Sequence, residues 1–121
     1  MSDITSFGAI TPIVPVRDVE QAVAFYRERL GFAETFRDGT SQAGLRRDGA
    51  SIVVFRCAEP AAIFEWTSFR IAVTGIAALY ETCRASGIVH PNGTLQERPW
   101  GTTEFAVLDP DGICITFCEG R

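Results

Sequence analysis

Short runs that alternate apolar and polar residues, separated by turn-forming pairs, make up much of the first half of the chain. Three such runs are residues 32–37, 42–47 and 51–57, and Asp-Gly pairs at 38–39 and 48–49 separate them. Asp-Gly pairs between short apolar runs are typical of β-hairpins. The pattern therefore predicts a meander of three antiparallel strands.

An earlier run, residues 9–16, is rich in β-forming residues but contains Pro12 and Pro15. Proline has no backbone N–H to donate to a neighbouring strand. We therefore expect this strand to be interrupted or to lie at the edge of a sheet.

Two segments carry apolar residues at helical spacing. The first follows Asp18, which with Gln21 three residues later resembles a capping box, and it ends at Gly31. Its apolar positions are Val19, Ala22, Val23, Tyr26 and Leu30. The apolar positions of the second segment, which ends at Gly87, are Ile76, Leu79, Tyr80 and Cys83. Both patterns predict amphipathic helices.

The last third of the chain contains a strand–turn–strand pattern. Residues 103–108 and 113–118 flank the turn Asp-Pro-Asp-Gly at 109–112. Alternation places the apolar residues of the second strand on one face, and the small, weakly polar Cys114, Thr116 and Cys118 on the other. Such a face can border a cavity. Trp100, in the loop that precedes the hairpin, either offers a flat stacking surface or caps the core.

The second half of the chain repeats the order of the first. After a connection at 59–65 come a strand at 68–73, the second helix, a strand candidate at 93–96 and the hairpin. Three short sequence echoes in the same order indicate an internal duplication. We predict one α+β domain over 1–121, built of two βαβββ modules at about 8–58 and 66–119. Two curved mixed sheets would then enclose a cleft, the usual place for a ligand.

Composition excludes several function classes. Hydrophobic residues make up 46% and charged residues 21%, as in a soluble globular protein. No apolar run is long enough to span a membrane, and no secretion signal precedes the first strand, so we expect a cytoplasmic protein. The net charge is −4 and the arginines form no basic stripe, which argues against nucleic acid as a partner.

The four cysteines match no zinc-binding spacing. Cys114 and Cys118 would lie on one strand about 13 Å apart, too far for a disulfide. We interpret all four cysteines as free thiols that pack as small apolar side chains.

Several segments resemble the glyoxalase/bleomycin-resistance/dioxygenase superfamily, also called the vicinal-oxygen-chelate superfamily. They are residues 12–19, residues 22–32, the motif Pro-Trp-Gly-x-x-Glu-Phe at 99–105 and the Asp-Pro-Asp-Gly turn at 109–112. The turn is shared across the superfamily. The Trp-Gly motif resembles specifically the bleomycin-resistance branch.

That resemblance implies the fold predicted above and a homodimer with two ligand sites in crevices at the subunit interface. Members of the branch bind a bleomycin-like glycopeptide antibiotic without modifying it. The proline that matches Pro12 serves there as a hinge, from which the N-terminal strand crosses to the partner subunit. A simple edge strand would explain Pro12 equally well.

Metal-dependent members of the superfamily take His, Gln or Glu from fixed strand positions. By the resemblance, Thr11, Thr116 and, within one residue, Ser68 occupy those positions here. They do not form a normal set of ligands for a divalent metal. We therefore expect a binding protein with no metal or other cofactor, not an enzyme. The only histidine, His90, is expected at the surface, and the spacing leaves open whether Glu104 is buried or solvated.

Ligand binding would then depend on shape, stacking and charge. By the resemblance, the candidate ligand-binding residues are Trp100, Phe36, Gln42, Phe55, Gly101 and Thr116. Only one of Phe55 and Arg56 can face the cleft, and Trp66 is a candidate for its rim. Packing in the core is the competing interpretation for each phenylalanine.

Two positions depart from the bleomycin-resistance branch. Gln42 stands where bleomycin binders carry an aromatic residue, and Phe55 where they carry a small polar one. Two alternatives therefore remain open, a metal-dependent glyoxalase- or dioxygenase-type enzyme and a binding domain for another small aromatic ligand.

Overall fold

The computed structural model describes residues 4–58 and 61–120. In the first module, strand β1 (Ile13–Val16) is followed by helix α1 (Val19–Leu30) and by strands β2 (Ala33–Asp38), β3 (Gln42–Arg47) and β4 (Ala50–Arg56). A short helix, α2 (Ala62–Trp66), then leads to the second module. That module contains β5 (Ser68–Ala72), α3 (Ile76–Ala85), β6 (Gln96–Glu97), β7 (Thr102–Leu108) and β8 (Cys114–Gly120).

The two modules have the same sheet topology. The first sheet has the strand order β1-β4-β3-β2, and the second has the order β5-β8-β7-β6. In each sheet the first strand pairs in parallel with the last, and the other pairings are antiparallel. The predicted α+β class and the order βαβββ in each module are confirmed, and β1 lies at a sheet edge as its prolines indicated.

The ends of the helices follow from local chemistry. The Asp18 carboxylate accepts a hydrogen bond from the backbone N–H of Gln21 at 3.0 Å, and Gly31 ends α1 with φ at 71°. Glu119 plays the corresponding part for α3, since its carboxylate accepts from the backbone N–H groups of Gly75 and Ile76 at 3.1 and 2.9 Å. This acid comes from the last strand, so the second cap also ties α3 to β8.

The core lies on the helix-facing side of each sheet. The alternation from Ile113 into β8 is as predicted, because Ile113, Ile115 and Phe117 are buried while Cys114 and Thr116 are half-buried on the opposite face. In β3 and β4 the buried apolar side chains are Ala43, Leu45, Ile52 and Val54. The opposite face of each sheet is left uncovered by helices.

Three predicted boundaries were wrong. The first strand covers only Ile13–Val16. Pro12 still accepts a backbone hydrogen bond from Val53 N at 3.0 Å, but residues 9–11 run exposed and pair with no strand in the described chain. The strand expected at 93–96 is the two-residue β6. The connection expected at 59–65 contains α2; residues 59 and 60 lie outside the described residues.

Helix α2 is held by its one buried side chain, Phe64. The guanidinium carbon of Arg17 lies 4.0 Å from the centroid of the Phe64 ring. The same guanidinium donates to the carboxylate of Asp111 at 3.1 Å. Arg17 therefore joins three elements, since it follows β1, contacts α2 and bonds the turn before β8.

Candidate functional site

A cavity of about 320 Å³ lies over the uncovered face of the second sheet. Its floor is formed by side chains from three adjacent strands, namely Arg70, Glu104, Ala106, Cys114 and Thr116. The register explains this grouping, because Thr116 in β8 pairs with Arg70 in β5 on one side and with Ala106 in β7 on the other. The prediction that the small face of the last strand borders a cavity is thus consistent with the geometry.

The wall of the cavity comes from the loops that precede β7, with His90, Asn92, Gly93, Arg98 and Trp100. Trp100 is 67% exposed, which excludes the alternative that it caps the core. Its loop is closed by two backbone hydrogen bonds, from Gly101 N to Arg98 O at 3.0 Å and from Arg98 N to Thr102 O at 2.7 Å. Gly101 has φ at 100°, a conformation that other residues rarely adopt, so glycine shapes this turn.

Glu104 is buried, with 4% of its surface exposed. Its Oε2 atom accepts three hydrogen bonds: from Thr102 Oγ1 at 2.6 Å, from Arg70 Nη2 at 2.7 Å and from Trp100 Nε1 at 3.1 Å. These bonds, that of Arg70 foremost, lower the pKa of Glu104 to about 2. The question left open by the strand spacing is answered, because Glu104 is a buried carboxylate. By accepting from Nε1, it holds the N–H edge of the Trp100 indole in place.

The sequence predicted that His90 lies at the surface, but its side chain is half-buried and lines the cavity. Two backbone hydrogen bonds attach its loop to β7, from His90 N to Ala106 O and from Ala106 N to Gly93 O, each 2.9 Å long. The imidazole Nδ1 accepts from the backbone N–H of Asn92 at 2.9 Å, so this nitrogen is already engaged.

Arg70 and Arg98 are cavity residues that the sequence reasoning missed. Arg70 was detectable, because it lies two residues after Ser68 and alternation places both side chains on the same face. Arg98 lies beside the indole, with its guanidinium carbon 5.9 Å from the centroid of the Trp100 ring. Its position depends on the turn at Gly101, which periodicity does not reveal.

The structure does not bring all the sequence candidates together. Phe36, Gln42 and Phe55 lie on the uncovered face of the first sheet and do not line the Trp100 cavity. Gln42 pairs with Phe55 across β3 and β4, and the Phe36 ring packs over Gly44, where a Cβ atom would collide with it. Of the pair in β4, Phe55 takes the uncovered face, because Val54 before it is buried under α1. All residues that line the Trp100 cavity belong to the second module.

The comparisons with known proteins address the family. The sequence model described as the glyoxalase/bleomycin resistance protein/dioxygenase superfamily matches residues 7–117. The chain belongs to this superfamily. A bleomycin resistance protein of Geobacillus stearothermophilus is 34% identical over an alignment of 124 positions, which spans 89% of this chain and 93% of that protein.

Solved structures of the superfamily agree with the fold. The bleomycin-binding protein from bleomycin-producing Streptomyces verticillus, complexed with copper(II)-bleomycin, is 32% identical with a TM-score of 0.82, and the match covers 98% of this chain and all of that one. A bleomycin resistance determinant encoded on the transposon Tn5 is 28% identical with the same TM-score, and the match covers 95% and 99% of the two chains.

The residues that the resemblance implies at the metal-ligand positions can be placed in the structure. Thr11 is exposed in the segment before β1, Ser68 pairs with Cys114, and Thr116 lies in the floor of the Trp100 cavity. Hydroxyl groups are poor ligands for divalent transition metals compared with imidazole, carboxylate or thiolate. Among residues 4–58 and 61–120, no group of three or more His, Cys, Asp or Glu is arranged to hold a metal ion.

Two further observations concern the surface. Trp66 is 86% exposed on α2 and does not line the Trp100 cavity. Within the described chain, none of the helices combines the length and the apolar character needed to cross a bilayer.

Proposed function

We propose that the protein binds a bleomycin-like glycopeptide antibiotic at the Trp100 cavity and sequesters it without chemical change. The observation that carries this proposal is the exposed indole of Trp100, which is held at its edge by the buried carboxylate of Glu104. A flat aromatic face presented in this way suits stacking with a planar heteroaromatic group. Relatives that are named for bleomycin resistance or that bind bleomycin support the choice of ligand.

The chemistry of the cavity favours binding over catalysis. The carboxylate of Glu104 in this cavity accepts three hydrogen bonds and has a pKa of about 2. Such a carboxylate is a poor general base near neutral pH. The positions that the resemblance assigns to metal ligands hold hydroxyl side chains here. The alternative of a metal-dependent enzyme therefore has less support here than a binding protein.

We infer further that two chains form the complete site. Large apolar side chains are exposed in the segment before β1, with Phe7 at 96% and Ile10 at 89%, and at the first residue of β1, with Ile13 at 65%. Phe36 is 45% exposed on the first sheet. Several large apolar side chains exposed in one chain are typical of a surface that a partner covers. In a homodimer with Pro12 as the hinge, the first sheet of one chain would bring Phe36, Gln42 and Phe55 to the Trp100 cavity of its partner.

The homodimer is expected to depend on that N-terminal segment. A Phe7→Glu, Ile10→Glu double variant places two charges where the proposed interface needs apolar contacts, so it should sediment as a monomer. Sedimentation velocity of the wild type and the variant at equal concentration measures this. Ala77→Glu, an exposed change on α3, is the matched control and should remain dimeric. A double variant that still sediments as a dimer would rule out this interface.

The decisive test of the function is a titration with metal-free and copper(II)-loaded bleomycin, followed by tryptophan fluorescence and by heat. We expect saturation near one ligand per chain and an unchanged mass of the recovered drug. A chemically altered drug would favour the enzyme. Failure to bind at high micromolar concentration would reject the resistance role and leave another small aromatic compound as the ligand.

Replacing Glu104 by glutamine should weaken the binding of bleomycin about two- to tenfold, because a neutral acceptor holds the Trp100 Nε1–H and Arg70 less firmly than a carboxylate does. Isothermal titration measures the effect. Glu97→Gln, an exposed change on β6, is the control and should bind as the wild type does. Unchanged affinity in Glu104→Gln would show that binding does not depend on the hydrogen bond between the Trp100 indole and the Glu104 carboxylate.

We also propose that the protein acts in the cytoplasm. All four cysteines are free, including the half-buried Cys57, Cys114 and Cys118. Free thiols that are partly accessible to solvent are typical of proteins in a reducing compartment. Cell fractionation with an antibody against the chain tests the location.

A further inference from the structure

The segment after α3 runs beside β7 like a short additional strand. Val89 forms an antiparallel bridge with Val107, and His90 N donates to Ala106 O at 2.9 Å. Residues 88–90 therefore extend the second sheet beyond β7, on the edge of β7 that does not pair with β8.

This register places the His90 side chain on the cavity face. Ala106 lines the cavity, so Val107, the next residue in β7, points to the opposite face of the sheet. Val89 lies directly opposite Val107 and shares its face. His90 then points to the face of Ala106, in a row that continues through Thr116 on the next strand.

The loop after His90 turns back tightly against this row. Gly93 N donates to His90 O at 2.8 Å. A Cβ atom on Gly93 would lie 2.8 Å from the Ala106 Cβ and 3.0 Å from the His90 Cβ, so only glycine allows this close approach. The imidazole is therefore held beside the floor of the cavity.

The hydrogen bonds of His90 define which ring nitrogen carries the proton. Nδ1 accepts from the backbone N–H of Asn92 at 2.9 Å, and a neutral imidazole has one acceptor and one donor nitrogen. The proton is thus on Nε2. In the described part of the chain Nε2 has no hydrogen-bond partner, and it is not a buried atom, so a ligand in the cavity can reach it.

We propose that His90 contacts the ligand in the Trp100 cavity, where its Nε2–H donates to a neutral acceptor on the planar group that stacks on Trp100. A carbonyl oxygen or a ring nitrogen would be such an acceptor. A half-buried donor discriminates against an analogue without an acceptor, because the donor then loses water and gains no bond. An uncharged donor does so without repelling a cationic group elsewhere on the ligand. This inference rests on the proposed function for the location of the ligand.

Nitrogen NMR of the imidazole observes the donor directly. His90 is the only histidine of the chain, so the spectrum contains one imidazole. We expect the Nε2–H tautomer in the free protein at slightly alkaline pH. Saturation with metal-free bleomycin should shift the Nε2 signal and slow the exchange of its proton with water. The Nδ1–H tautomer, or an Nε2 signal that does not change in the saturated complex, would contradict the proposal.

Two variants separate binding from loop structure. In His90→Asn the side-chain oxygen can still accept from the backbone N–H two residues later, but the side chain is too short to replace Nε2. Its stability in urea should match the wild type, and its affinity for bleomycin should fall about two- to tenfold. His90→Gln carries a donor at nearly the distance of Nε2 but forms the Asn92 bond poorly, so it should be less stable and bind more tightly than His90→Asn.

Arg84→Gln, which removes an exposed arginine on α3, is the control and should change neither property. If affinity follows stability, so that His90→Gln binds less tightly than His90→Asn, His90 only shapes the loop and the proposal is wrong.

Two probes of equal shape test the need for an acceptor. 2-Acetylnaphthalene has a carbonyl group where 2-isopropenylnaphthalene has a C=CH₂ group, and both are uncharged. The affinity ratio of ketone to alkene should be about two- to tenfold higher in the wild type than in His90→Asn, which cancels their difference in hydrophobicity. The indole N–H signal of Trp100 in a Trp66→Phe background reports binding. Equal ratios in the two proteins, or no shift with either probe, would overturn the proposal.

The bleomycin titration distinguishes this inference from the proposed function. Bleomycin binding that is unchanged in His90→Asn rejects the role of His90 alone. A preference for the ketone that depends on His90, without binding of bleomycin, retains that role and rejects the antibiotic as the ligand.

Discussion

Replacing Trp100 by alanine is expected to weaken the binding of bleomycin by about 1–3 kcal/mol, or roughly five- to 150-fold, as truncation of an aromatic anchor usually does. The indole is 67% exposed in the free chain, so its flat face is available to a ligand without rearrangement of the core. For the same reason the variant should fold normally. Isothermal titration of the variant and the wild type gives the ratio of affinities.

The chain provides a matched control for this experiment. It has two tryptophans, and Trp66 is 86% exposed on α2, outside the Trp100 cavity. Trp66→Ala should retain wild-type affinity and should leave Trp100 as the sole fluorescent reporter of binding. Trp100→Phe should recover part of the lost affinity, because a phenyl ring offers a smaller stacking surface. Equal affinity of Trp100→Ala and the wild type would remove Trp100 from the site.

Local sequence signals predicted most of the fold because this fold is built from local units. The Asp18 cap, the Gly31 stop and the alternation of β8 are each set by a few neighbouring residues. The repetition of these units gave the module order, and each module closes its sheet by pairing its first strand with its last. The ends of β1 and the presence of α2 depend instead on distant contacts, such as that between Arg17 and Phe64.

The site was harder to predict than the fold, because its parts are far apart in the sequence. Arg70 and Glu104 are 34 residues apart, and their ion pair depends on the register of β5, β8 and β7. His90 reaches the cavity because its loop makes backbone hydrogen bonds to Ala106. The periodicity of the sequence does not predict hydrogen bonds of this kind. Trp100 and Thr116 could be proposed in advance, one from a motif and the other from alternation within a strand.

The two modules share a topology but differ in what their uncovered faces offer. The first sheet presents apolar and aromatic side chains, with Ile13 and Phe36 well exposed. The second presents an indole, two guanidinium groups and a compensated carboxylate. The two sheets have the same strand order, and the Trp100 cavity lies on the second. In the proposed dimer, each ligand would lie between the second sheet of one chain and the first sheet of its partner.

Asp109, in the turn before β8, should make the stability of the protein depend on pH. It is 6% exposed, and its Oδ1 atom accepts from the backbone N–H groups of Asp111 and Ile113 at 2.8 and 2.9 Å. Its Oδ2 atom is buried without a hydrogen-bond partner in the described chain. Burial above all, and the charge of Asp111 to a lesser degree, raise the pKa of Asp109 to about 6.

The sign of the effect follows from proton binding. Between about pH 4 and pH 6 the folded state keeps the Asp109 proton and the unfolded state has lost it, so the free energy of unfolding falls as the pH rises. Above pH 6 the penalty is complete, and a shift of roughly two pH units corresponds to about 3 kcal/mol. The neighbouring groups are the Tyr26 phenol, Arg29 and Asp111, which is itself paired with Arg17.

Asp109→Asn should therefore stabilise the protein by up to about 3 kcal/mol at pH 8 and have little effect at pH 4. The amide oxygen can still accept from the two backbone N–H groups, and no charge remains to be buried. Urea unfolding at fixed protein concentration, repeated from pH 4 to pH 8, measures the difference. Glu65→Gln, an exposed change on α2, should show no such trend. A stability difference between Asp109→Asn and the wild type that does not vary with pH would mean that Asp109 stays ionised throughout. The turn would then tolerate a buried charge because the backbone N–H groups and Arg17 compensate for it.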